Sequence, residues 1–463
     1  MKISLNGLFR RFMASALLFL LPGILSASTF AQTAGGGGID PPERIARAAA
    51  QGQAMAPEAE TVEEQAGTQA QGGNNRAAKI SGRAGSRSRN APRRDNLQSF
   101  KIMKNARALV GGYEQGAGIG LGLELTTADA IKGVELYARA MSSTRLYRQG
   151  EVGAIIGNET TRGQVWFNYL RRTRDHFYGI GPRTQRSAET NFSMEARSYN
   201  ASFSHFLTRD LEAGVYGRVS NTGSFRGEND DEPDINLNFT GDPQAADPTR
   251  YLPGLNSNAK LFSIGVYAEF DKRDNKRGLT RGAYLYGRVA SIDGLKNGSA
   301  FSNYGWIETE LDARVYIPIF SHKTSLALRG YTDLKETKSG GQIPFYELSF
   351  LGGRNFIRGF DNFRFRGENF ALFSGEFRQT VWAQEEDQGV DVFVFTDTGQ
   401  VWGDNRSKTD PRIRANDPFK SSNWRAGVGG GGQYRFSRST AVRFELGATN
   451  ERNHFYFSVS RGF

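Results

Sequence analysis

Between Gly305 and Ile317 the side chains separate by parity. Alternate positions read Gly305, Ile307, Thr309, Leu311, Ala313, Val315 and Ile317; those between them read Trp306, Glu308, Glu310, Asp312, Arg314 and Tyr316. A period of two sends neighbouring residues to opposite faces of an extended chain. One face of this segment is therefore apolar and the other ionic. The same division recurs at 211–219, 262–271, 283–289 and 442–448, the last with Arg443 and Glu445 on its charged face. A chain patterned in this way from residue 106 to 463 is all-β, built of strands whose two faces differ in chemistry.

A soluble sandwich also alternates, but three features oppose it. The alternating stretches run about 9–12 residues, the length that crosses a bilayer, whereas soluble strands cluster near 5–6. Short connections (207–210, 271–278, near Phe320, 436–440) alternate along the chain with long ones (222–258, 335–366, 403–421). The C-terminal segment HFYFSVSRGF runs as a strand to the last residue, with Phe455, Phe457, Val459 and Phe463 on one face. All five Trp lie in this region, mostly near expected strand ends, where interfacial girdles sit. Sixteen strands are read, centred near Leu109, Leu121, Leu136, Gly153, Trp166, Arg197, Val215, Val266, Tyr286, Glu310, Leu328, Gly375, Val394, Gly429, Phe444 and Phe457. An even count returns both ends to one side of the membrane. In lipid every backbone group needs an internal partner, which a closed barrel supplies. The expected fold is a 16-stranded antiparallel transmembrane β-barrel over residues 105–463, with an inward-folded external loop.

Composition removes the competing classes. Hydrophobic residues are 38% and mean hydropathy is −0.52, so there is no set of helical spans of about 20 apolar residues. Cys is absent, which excludes a disulfide scaffold and a Cys-linked lipid anchor. Aromatics at 12% and 56 Gly argue for ordered β structure. The net charge of +11 favours anionic partners.

Lys2, Arg10 and Arg11 precede an apolar run, Phe12 to Leu25, and small residues at Thr29 and Ala31. Residues 1–31 read as a secretory signal peptide. Residues 32–104 read as a disordered periplasmic tail rich in Gly, Ala, Gln and Arg. From Arg76 to Arg94 every charge in it is positive. A solvated linker and a basic arm for anionic lipid headgroups both fit that pattern. Nucleic acid is not expected, because no aromatics interleave with the arginines.

Four motifs appear in order: DHFYGIGP at 175–182, EFDKRDNKRGLTRGAYL at 269–285, IPFYELSFLGGRNFIRGF at 343–360 and FVFTDTGQVW at 393–402. With the aromatic C-terminus they resemble the BamA/TamA superfamily of outer-membrane proteins, also called the bacterial surface antigen family, over residues 106–463. Its members include outer-membrane insertases and two-partner secretion transporters. The tetrapeptide Ile357, Arg358, Gly359, Phe360 is similar to the lid-loop motif of that family. The resemblance implies that the loop folds into the lumen and that Arg358 docks on the wall at Asp397 and Glu376. By parity, Glu376 shares a polar face with Ser374, Arg378 and Thr380. Asp397 shares its face with Asp391 but also with Phe393 and Phe395, which leaves its direction open. The family also implies a weak seam between the first and last strands, placed here at Gly111, Gly112, Gly462 and Phe463. Residues 32–99 show no strand–helix pattern, so the periplasmic POTRA repeats of family insertases are not apparent.

Catalytic signatures are lacking. There is no G-x-S-x-G elbow and no H-E-x-x-H pair, and the four His (His176, His205, His322, His454) are scattered. The acidic run at 228–234 lacks the spacing of a calcium loop and reads as solvated. No enzyme activity, cofactor or metal is expected. Three functions remain open: insertion and assembly of outer-membrane proteins; a pore or transporter for protein, lipid or small solutes; a structural surface antigen. The partners implied are outer-membrane lipids and, for the first function, unfolded outer-membrane proteins, with accessory assembly proteins left open.

Overall fold

The computed structural model describes residues 98–459, apart from 104–105, 111–119, 132–133, 159, 230, 274–280, 296–302, 322, 385–387, 409–412, 414–417 and 437–440. The signal peptide, all of the tail before residue 98 and the four seam residues lie outside the described residues.

The first strands are β1 (Gln98–Met103), β2 (Ala106–Val110), β3 (Gly120–Ile131), β4 (Val134–Ser143), β5 (Arg148–Gly157) and β6 (Thr161–Phe177). There follow β7 (Thr190–Phe206), β8 (Leu211–Arg226), β9 (Asn258–Asp271), β10 (Gly282–Gly294), β11 (Gly305–Pro318) and β12 (Thr324–Thr337). A small separate hairpin, β13 (Ser349–Leu351) with β14 (Phe365–Gly367), interrupts the series. The last strands are β15 (Asn369–Ala383), β16 (Gly389–Trp402), β17 (Arg425–Arg435), β18 (Ala441–Ala448) and β19 (Asn453–Val459).

Apart from the hairpin, each strand pairs antiparallel with the next in one sheet. That sheet has 17 strands. The strand beyond the sixteen expected is β1. It falls inside residues 32–104, so the tail reading is too long at its C-terminal end. The six residues QSFKIM follow the basic stretch and find a pairing partner in β2. Several strands also exceed the expected length. β6 and β7 have 17 residues each. Beyond Leu170 the alternation of burial in β6 continues but slips by one residue at Arg172 and Thr173, where the pairing with β7 shifts register.

The sheet is inside out relative to a soluble protein. Ile307 is 44% exposed and Val394 60%, whereas Glu308, Asp333, Glu376 and Asp391 are fully buried. Leu121, Leu123 and Leu125 on β3 likewise face outward. Contiguous apolar surface of this kind suits lipid, not water. The buried ions survive because they are paired: Arg288 with Glu308 at 2.8 Å and with Glu310, Arg435 with Asp391 at 2.7 Å, Lys335 with Asp333 at 3.1 Å. Trp382 is exposed at a strand end, as a girdle residue would be. Trp166 and Trp306 depart from that reading and turn inward, because parity places them with the ionic face.

In an antiparallel meander, alternate connections emerge at the same end. The long ones, 178–189, 227–257, 338–368 and 403–424, therefore gather at one end of the sheet. They close over it. Phe345 of 338–368 packs edge-on against Phe177 and Phe192, in an apolar cluster that includes Leu252, Leu255 and Trp306.

Candidate functional site: the inward-folded loop

The connection from β12 to β15 does not run out into solvent. Lys335 on β12 tethers its first part, donating from Nζ to the Glu347 carbonyl at 2.7 Å and to Ser349 Oγ at 3.1 Å. The β13–β14 hairpin then holds the stem, and Gly352 and Gly353 turn the chain between them at φ 107° and 91°. In the tip, Ile357 and Phe360 are buried with Leu351, Phe365, Phe370 and Val401. With both flanking side chains anchored in that cluster, Arg358 is left to face the wall.

Arg358 meets three carboxylates there. Nε and one terminal nitrogen donate to the two oxygens of Asp397 on β16 at 2.7 and 2.9 Å. The other terminal nitrogen donates to Glu376 on β15 at 2.9 Å and to Glu445 on β18 at 2.9 Å. The Arg358 backbone N–H also donates to Asp397, at 3.1 Å. The guanidinium lies over the Phe395 ring, 3.4 Å from its centroid. The planar fork of arginine fits such a bidentate, stacked arrangement, and an ammonium does not. Arg443 shares the acids, donating to Glu376 at 2.7 Å and to Glu445 at 2.8 Å. The result is an interlocked charge lattice across β15, β16 and β18.

Close backbone approach makes this docking possible. Gly359 has φ 101°, a conformation that disfavours any side chain. A Cβ on Gly427 of β17 would lie 2.1 Å from the Arg358 carbonyl oxygen, so the loop rests directly on bare strand. The Gly359 N–H donates to the Tyr456 hydroxyl of β19 at 2.9 Å.

A second set of contacts joins this loop to the DHFYGIGP segment. The Gly181 N–H donates to the Arg366 carbonyl at 2.7 Å, and Arg364 donates to Thr184 and to Glu451. Asp361 is ringed by Arg186 at 3.0 Å, Arg452 at 3.0 Å and His454 at 3.2 Å. Burial alone would raise its carboxyl, but the hydrogen bond and charge from His454, with the two arginines, hold it well below its ordinary value of 3.8.

The structure thus brings Ile357, Arg358, Gly359, Phe360, Asp397 and Glu376 together. Gly111, Gly112, Gly462 and Phe463 fall outside the described residues. Sequence reasoning missed Glu445, Arg443 and Tyr456 as members of the lattice. Parity had put Arg443 and Glu445 on a charged face, but nothing in the sequence set that face opposite residue 358. The open direction of Asp397 also resolves. Phe393 and Phe395 point inward with it, because their rings carry Arg443 and Arg358, the former at 3.7 Å. Among the described residues the site brings no nucleophile and base together around the loop tip. It is a clamp that holds the loop against the wall.

Residues 140–463 match the Omp85 superfamily domain. Among solved structures, BamA from Haemophilus ducreyi lacking POTRA domains 1-3 is similar at 14% identity and a TM-score of 0.55, over 79% of this chain and 74% of that one. CdiB from Escherichia coli is similar at 12% identity and a TM-score of 0.51, over 79% of this chain and 67% of that one. At such identities the likeness is one of fold. No curated protein matches the chain in sequence.

Proposed function

The chain belongs to the Omp85 superfamily, and on that premise we propose that it forms a closed barrel in the bacterial outer membrane and assists insertion and assembly of other outer-membrane proteins. The apolar outward face supports residence in lipid. Closure between β19 and the first strands would remove the free sheet edges that lipid cannot satisfy. The observation that carries the reading is the Arg358 lattice. It fastens the loop to β15, β16 and β18 and rests it on β17 and β19, close to where a lateral seam would lie. A seam that opens exposes unpaired N–H and C=O groups, a template for an incoming strand. Fastening the loop beside it keeps the remaining wall in register while the edge is free.

A transporter or pore is the competing reading. The apolar cluster around Phe345 speaks against an open channel, because it fills the end where the long connections meet. The test is depletion of the protein followed by quantification of other outer-membrane proteins, alongside conductance of the purified full chain in planar bilayers. Insertase function predicts a fall in several barrel proteins and a closed or flickering baseline. An unchanged outer-membrane proteome together with steady solute flux would overturn it in favour of transport.

A further inference from the structure

His176 near the end of β6, Glu189 before β7 and Glu232 in the β8–β9 connection stand apart from the Arg358 lattice and have no part in the proposed function. Their ligand atoms converge. His176 Nδ1 lies 3.0 Å from Glu189 Oε1 and 3.1 Å from Glu232 Oε2, and all three atoms lie within 4.8 Å of one another.

The contacts are too many for one proton. A ring Nδ1 carries at most a single N–H in the ring plane, yet two carboxylates flank it. Both Nδ1 and Glu232 Oε2 are closed to solvent, and neither makes a well-formed hydrogen bond among the described residues. A divalent cation answers this arrangement better. Four-coordinate zinc takes nitrogen and oxygen donors at about 2.0–2.2 Å, which sets neighbouring donors about 3.3 Å apart. The two separations from His176 to the carboxylates, 3.0 and 3.1 Å, need only a few tenths of an ångström of opening. A neutral imidazole with two carboxylates carries a charge of −2, which the cation balances.

The surroundings are built to hold these donors. The Tyr178 ring stacks on His176, and its hydroxyl donates to Glu189 Oε1 at 2.5 Å. Buried Asn191 fixes the acidic loop, donating from Nδ2 to the backbone carbonyls of Asn229, Glu232 and Pro233 at 3.1, 2.8 and 3.1 Å. Oriented outer partners of this kind are what metal-binding side chains require. The sequence offers no metal spacing, because the donors come from three separate segments and meet only in the fold.

We propose that His176, Glu189 and Glu232 form a divalent-cation site of the zinc type, with water as the fourth ligand, that staples the β8–β9 connection to the ends of β6 and β7. The test uses the full chain, purified in detergent and stripped with chelator. Calorimetric titration with zinc chloride should show one ion per chain, and cobalt(II) should give the visible absorption of a tetrahedral site. His176→Ala and Glu232→Gln should each weaken zinc at least about tenfold. Glu228→Gln, which removes a neighbouring acid paired with Arg171, should leave zinc binding unchanged. No saturable zinc binding, or an octahedral cobalt spectrum in the unmutated chain, overturns the site without any variant. Undiminished binding in both His176→Ala and Glu232→Gln overturns it as well.

Discussion

Arg358 is the residue on which the inner lattice turns. It donates to three carboxylates from a fully enclosed position, so its removal leaves Asp397, Glu376 and Glu445 with one fewer counter-ion. Breaking a buried pair from one side costs about 3–5 kcal/mol. Arg358→Ala should therefore lower the temperature at which the folded band is lost on heat-modifiable gels. Arg358→Lys should recover little, because an ammonium cannot span Asp397 in two bonds and stack on Phe395. Unchanged migration in both variants would remove the clamp from the account. Asp361 makes a pH prediction at the same scale. Its carboxyl is held below its ordinary 3.8, so it contributes stability above that value and loses the contribution as pH falls through it toward the folded value. Asp361→Asn should be less stable than the parent at neutral pH, and the gap should close as the pH drops below about 4. A gap independent of pH would contradict the assignment.

At the scale of elements, the loop between β12 and β15 divides its work. Its first part fills the end of the sheet through Phe345, and its tip binds the wall through Arg358. Phe345→Ala should cost about 3–5 kcal/mol by cavity formation and raise conductance in planar bilayers. Arg358→Ala should affect stability with a smaller change in conductance. Equal conductance in Phe345→Ala and the parent would mean that the cluster does not seal. The strands themselves were legible, because opposite chemistry on two faces leaves a period-two trace that survives any loop length. β11 shows why: Ile307 and Glu308 are adjacent in sequence and opposite in environment. Strand ends were less legible. In β6 the alternation slips by one residue at Arg172 and Thr173, where the pairing with β7 shifts register, and no sequence period records that. The partners of Arg358 were half legible. Asp397 and Glu376 followed from family motifs, whereas Glu445, like Tyr456 that accepts from Gly359, depends on how far the sheet curves to meet the loop, a distance no local pattern encodes. The convergence of His176, Glu189 and Glu232 was invisible for the same reason.

At the scale of the molecule, the physical logic is an exchange of solvents. Lipid takes the apolar face, and the inner face holds the charges, many of them in ion pairs such as Arg288–Glu308, Arg435–Asp391 and Arg443–Glu376. The placement of Val394 and Phe395 on β16 isolates this claim. They are neighbours in sequence, one 60% exposed and one 5%. Nitroxide labels introduced one at a time at 390–398, in the full chain reconstituted into lipid vesicles, measure it directly by their accessibility to oxygen, which concentrates in the bilayer. The account predicts accessibility that alternates with a period of two, high at Val390, Val392, Val394, Thr396 and Thr398 and low at the residues between. A flat profile, or one with its maxima at Asp391, Phe393, Phe395 and Asp397, would contradict it.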